Sequence, residues 1–176
     1  MTMSRVRQDG AMHAVTLAAL AAFPDQLEAH FAAFAPEFTR WAPASWDGVP
    51  SEPLTALEQL CHVRDIEICG YQVRIRRTLA ETNPLLASID TDALVRERAY
   101  AHDDPVRALA AFRAARVQTL AMITGLTDAQ LARTAVFEGY GPLTLRSLIH
   151  YLCSHDQQHL AGLQWLLGKA DASRLG

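Results

Sequence analysis

No stretch of the 176-residue chain approaches the ~20 uninterrupted apolar residues that a bilayer-spanning helix needs, so a membrane protein is not expected. The opening "MTMSRVRQDGAMHAV" has two arginines but no apolar core ending in a small-residue cleavage site, so no secretory leader is expected either. Cysteine is scarce and odd in number. Cys61, Cys69 and Cys153 form no C-x-x-C pair, which argues against a disulfide scaffold and for a reducing, cytoplasmic setting. No run of Lys and Arg builds a phosphate-binding stripe and the formal net charge is −3, so nucleic acid is not an expected partner. Aromatics supply only 7% of residues and Val-Ile-Thr runs are few.

What is present is hydrophobic residue in quantity, 50% of the chain, with Ala and Leu dominant. That mixture points to an all-α protein, and the length suits one domain with a substantial core. Four long helical stretches emerge. The first spans about Met12 to Phe34 and contains Pro24, which predicts a kink or a dividing turn. "APEFTRWAPASWDGVPSEP" follows and reads as an ordered loop holding two large rings. The second helix spans about Leu54 to Ala80 and is stopped by "ETNP". Its broad apolar face carries Leu57, Leu60, Cys61, Ile68, Tyr71, Ile75 and Leu79, and a second strip carries His62, Ile66, Cys69 and Val73. A short helix is expected in "DTDALVRERA". The third long helix opens at "DDP" and stops at Gly125, and "LTDAQLAR" reads as one capped turn. "FEGYGP" is loop or a small hairpin, and the fourth long helix runs from about Leu143 to Leu167, closed by Gly168. The domain is expected over 12–168, between tails at 1–11 and 169–176.

The fourth helix carries the chemistry, in "YLCSHDQQHLAGLQWLL". At ~100° per residue, His155 and His159 lie within about 40° of each other, along the strip of Leu145, Leu148, Leu152, Leu163 and Leu166. His150 falls on the far side and reads as solvated. Buried imidazoles need partners for both ring nitrogens. One account is a pair of core histidines bonded to backbone or carboxylates. The other is a divalent metal, which satisfies both rings and prefers them neutral. His62, inward on the second helix, is the natural third ligand. Glu58 and Asp65 stand one turn to either side of it and are candidates to orient its ring. His13, His30 and His102 read as surface residues. Cys61 and Cys69 read as buried, inert thiols.

The pieces "LCHVRDIE", "DDPVRALAAFRAAR" and "GPLTLRSLIHYLCSHDQQHL", in that order, resemble the DinB/YfiT-like metalloenzyme superfamily over roughly Thr16 to Leu167. The H-x-x-D pattern followed about ninety residues later by H-x-x-x-H carries the likeness. The resemblance implies a four-helix bundle of up-down-down-up topology, metal ligands His62, His155 and His159, and a habit of homodimerising. It also implies thiol-dependent transferase or related chemistry in some members, with a low-molecular-weight thiol as cosubstrate. The chain departs from it at the entry to the second helix, where "ASWDGVPSEPLT" replaces a short "G-x-W-S" lead-in, so no substrate preference carries over.

Three neutral histidines leave an open position on the ion, Zn²⁺ by default, with Ni²⁺ and Fe²⁺ also suited to imidazole. The expected function is a metal-dependent S-transferase or hydrolase acting on a small molecule. The alternatives are a non-catalytic metal- or ligand-binding protein and a structural dimer stapled by the ion. Arg116 falls amid the core strip Val106, Leu109, Phe112, Val117, Leu120 and Ile123 of the third helix. A buried guanidinium demands an anion, either an internal carboxylate such as Glu67 or Asp65, or an acidic group of the substrate.

Overall fold

A computed structural model describes residues 12–174; the expected 1–11 tail lies outside them. Helix α1 (Ala14–Ala32) runs unbroken through Pro24, so no turn divides it. The second rod of the bundle has three segments: α2 (Ala56–Asp65), a π-helical stretch (Ile66–Tyr71) and α3 (Gln72–Ala80). The short helix α4 (Thr91–Glu97) follows, capped by the Asp90 side chain. Asp104 caps α5 (Pro105–Ile123), which begins on its proline and ends before Gly125, where φ is +78°. The single turn α6 (Asp128–Leu131) is fixed by a capping box between Thr127 and Gln130. Strands β2 (Thr134–Phe137) and β3 (Gly141–Thr144) form an antiparallel hairpin, and β1 (Leu85–Leu86) pairs parallel with β2. Thr144 ends the hairpin and caps α7 (Leu145–Ser173).

The four rods are up-down-down-up, as their cross-links show. Thr16 meets His150 and His30 meets Gln164, so α1 and α7 run parallel. Glu67 meets Arg116 and Gln72 meets Thr119, so the second rod and α5 run parallel. Leu20 meets Arg116 and Asp25 meets Arg113, which makes α1 and α5 antiparallel.

The core forms two apolar clusters. One gathers Leu20, Ile75, Ile123, Phe137, Leu148 and Leu152, and the other Phe23, Leu27, Leu60, Phe112, Leu163 and Leu166. Between them lies a polar layer containing His62, Asp65, Glu67, Arg116, Asp156 and His159, all buried. Arg116 is its centre. Its five N–H groups, all a guanidinium has, go to Glu67, to Asp156 and to the Leu20 carbonyl. Arg116 therefore takes the internal pairing and has no donor left for a substrate. Burial beside the Glu67 carboxylate, partly offset by Arg116, pushes the Asp156 carboxyl up to about 7.

Several expected boundaries and faces move. Val106 and Val117 are 76% and 67% exposed, and the buried stripe of α5 is Ala108, Phe112, Ala115, Arg116, Thr119 and Ile123. Turning Arg116 toward its carboxylates sends the two valines outward. On the second rod, Ile68, Cys69 and Val73 are exposed, while Glu67, Gly70, Gln72 and Arg74 are buried. The i→i+5 turn of the π stretch advances the phase that an α-helical projection assumes. Only Cys61 is a buried thiol, pushed up to about 12 by burial, with its Sγ 3.6 Å from Asp103. Gly168 does not end α7. The helix continues to Ser173 with Ala170 buried, and this packing outweighs the ~1 kcal/mol helix cost of one glycine, so residues 169–173 belong to the bundle rather than to a tail.

Replacing Arg116 with Met should leave two buried carboxylates unpaired and lower unfolding stability by about 3–5 kcal/mol. Adding Glu67→Gln and Asp156→Asn should recover much of that loss; urea titration of the three proteins checks both.

Candidate metal centre

The capped start of α2 sets the height of His62. Thr55 accepts the Glu58 amide, and the Glu58 carboxylate accepts from the Thr55 amide at 2.9 Å and from its hydroxyl at 2.8 Å. Glu58 is thus a helix cap and does not touch His62. The Asp65 carboxylate is likewise committed, to Arg64 and to the Tyr100 hydroxyl at 2.9 Å. It acts on His62 through its charge, and Nδ1 of His62 has no hydrogen-bond partner among the described residues.

The three expected histidines converge. His62 Nε2 and His155 Nε2 are 3.2 Å apart, and the ring centroids of the three lie 4.5–5.3 Å from one another. A fourth group joins them that the sequence pattern did not suggest. Glu52, 40% exposed on the loop before α2, places Oε2 at 3.3 Å from His159 Nε2 and Oε1 at 3.8 Å from His62 Nε2. One ligand atom from each of the four lies within 4.8 Å of every other. The loop is held by Trp46, which stacks on Trp165 of α7 with centroids 6.0 Å apart.

The hydrogen bonding fixes one tautomer. Gln59 Nε2 donates to the Leu54 carbonyl at 3.3 Å, so its Oε1 must accept from His159 Nδ1–H at 3.1 Å. His159 Nε2 then bears a lone pair, buried, without a hydrogen bond among the described residues, and facing a carboxylate oxygen. Two electron-rich atoms so placed call for a cation between them, and the donor set of three imidazoles and one carboxylate suits a divalent ion of the zinc type. The Nε2 atoms of His62 and His155, 3.2 Å apart, share one hydrogen bond, and both would turn to a cation placed among the four groups. Burial, reinforced by the neighbouring imidazoles, lowers His155 to about 3 and His159 well below its ordinary value. Burial also lowers His62, against the pull of Glu52 and Asp65. All three rings are neutral at pH 7, as ligands must be.

Gly162, one turn beyond His159, lets the loop and Gln59 approach α7. A Cβ there would clash with Ser51 Oγ and stand 2.7 Å from Gln59 Oε1. His150, expected in solvent, is half-buried against Thr16 and His13, on the side of α7 away from the centre. Among the described residues no helix is long and apolar enough to cross a membrane.

A four-helix bundle with three neutral imidazoles and a carboxylate meeting in its polar layer defines a candidate metalloprotein. The DinB superfamily profile matches residues 19–163, and the chain belongs to that superfamily. Among curated proteins none matches. Among solved structures the fold is similar to YfiT from Bacillus subtilis, described as a probable metal-dependent hydrolase with an unusual four-helix bundle topology. The TM-score is 0.73 at 19% identity, over 86% of this chain and 83% of that one.

Gln59→Leu should weaken zinc binding about 10–100-fold, because it frees the His159 tautomer. Gly162→Ala should weaken it too, despite its better helix propensity; competition with a fluorescent chelator measures both. In metal-free protein the stability contributed by neutral His155 should be present above about pH 6.5 and be lost as pH falls toward about 3, opposite in sign to the contribution of the raised Asp156 carboxyl. The unfolded chain takes up a proton there that buried His155 refuses. Thermal melts across that range should show a shallower fall in His155→Gln; equal slopes would contradict the assignment.

Proposed function

We propose that the chain is a metal-dependent hydrolase, with His62, His155 and His159 holding a divalent ion, zinc by preference. A bound ion would supply Lewis acidity and lower the pKa of a water or thiol at the site. The observation that carries the reading is the Glu52 carboxylate beside the three imidazoles. A water nucleophile must surrender a proton, and Glu52, reaching in from the loop, is positioned to accept it. The same carboxylate repels a thiolate, which favours hydrolysis over the thiol-dependent transfer that the family resemblance also implies. Two cavities, of about 120 and 220 Å³, open on Glu52 and His155, with Tyr71 and Tyr140 lining both. A centre that only stapled helices would need neither cavity nor exposed carboxylate. Burial keeps the Tyr71 phenol protonated, so it has a proton to donate to a bound group there. Homodimerisation is proposed as well, on the family resemblance; Val106 and Val117 share one outward face of α5.

With zinc-loaded protein and a panel of small esters and amides, Glu52→Gln should keep full metal content and lose about 10²–10⁴-fold in kcat. Loss of the metal instead would make Glu52 a ligand. Turnover appearing only with added low-molecular-weight thiol would replace hydrolysis with transfer.

A further inference from the structure

Arg74 is a second buried guanidinium in this bundle, 6% exposed, and its surroundings are the reverse of those of Arg116. No carboxylate among the described residues pairs with it. Its Nε and Nη2 both donate to one acceptor, the Ala87 carbonyl, at 3.2 and 3.0 Å. That leaves three of five N–H groups without a hydrogen-bond partner among the described residues. Its charge rests on ring faces, with Cζ 4.5 Å from the centroid of Phe137 and 5.4 Å from that of Tyr71. Such contacts do not replace an anion for a cation largely withdrawn from water, whose unbonded donors keep access to the cavity beside it.

The guanidinium lines the cavity of about 120 Å³ that also reaches His62, His155 and Glu52. The backbone makes room for it. A Cβ at Gly70, inside the π stretch, would stand 2.9 Å from Arg74 Nη1. Arg74 is thus a largely buried cation, without a carboxylate partner among the described residues, facing a cavity that ends on the candidate metal centre.

We propose that Arg74 binds a carboxylate of the substrate, so that the centre acts on small organic acids with a compact apolar body. This rests on the hydrolase reading only for what happens at the other end of the cavity. One planar guanidinium fork matches one carboxylate. A phosphate dianion would ask for further cations, and Arg74 is the one that lines this cavity. Phe137, Tyr71 and Ile66 supply the apolar wall. Glu52, at the imidazole end, repels the acid group and directs it to Arg74.

The test is calorimetric binding of benzoate and of its neutral isostere benzamide. A cavity of ~150 Å³ admits benzene, and the cavity of about 120 Å³ reaches that size together with the adjoining one of about 220 Å³, with which it shares Glu52, Tyr71, Tyr140 and His155. Zinc-loaded protein should bind benzoate at least about tenfold more tightly than benzamide, and metal-free protein should keep that preference. Arg74→Met should abolish the preference with zinc content and melting temperature retained. If that variant does not fold, Arg74→Gln, which can still donate to Ala87, takes its place with the same expectation. Equal affinity for the two probes, no benzoate binding at millimolar concentration, or an undiminished preference in the variant would overturn the proposal. A preference that vanishes with the metal would assign the carboxylate to the ion and overturn it equally. Failure of the hydrolase reading looks different: the histidine cluster would hold no stoichiometric zinc, while the metal-free arm would still report on Arg74.

Discussion

A guanidinium can be buried at the centre of a helical bundle only if anions reach it from neighbouring rods, and Arg116 imposes that condition here. Glu67 answers from the second rod, Asp156 from α7, and a carbonyl from α1. Removing any partner leaves a charge in a medium that solvates it poorly. Asp156 lies between His155 and His159, so the ion pairs that hold Asp156 also set the rotation of α7 and aim both imidazoles. The two apolar clusters flank this layer, which opens into the two cavities at the Glu52 and His155 end.

Within the layer, chemistry comes from incomplete satisfaction. Arg116 uses every donor, whereas His159 is given one partner, Gln59, and left with a lone pair against Glu52. Arg74 is left with donors facing a cavity. In a protein core most polar groups are bonded, so such exceptions mark where a ligand completes the structure. The supporting parts are small ones. Gly162 and Gly70 omit the side chains that would fill the approach to each group, and the Trp46–Trp165 stack holds the loop that brings Glu52 in.

Much of this was legible in the sequence. Helical periodicity and caps located the four rods, and the i,i+4 spacing of His155 and His159, with His62 on an inward face, named the three histidines that converge. Asp104, Pro105 and Gly125 marked both ends of α5, because capping is a local property. Glu58 was open to a better reading from the same string: T-x-x-E at a helix start is a capping box, which claims the carboxylate before His62 can. Glu52 gave no such signal. It sits in an irregular loop where spacing carries no geometry.

The sequence by itself determined which residues are apolar, where helices start, and which side chains could bind a metal, because these follow from composition and from contacts within one turn. The tertiary structure alone decided which carboxylate meets which cation. The π turn shifts the face of the second rod and brings in Glu67 and Arg74, where a regular helix would have turned Ile68 and Val73 inward. That shift gives Arg116 its partner and the cavity its cation. Register between distant segments is set by packing of the whole, and no local pattern encodes it.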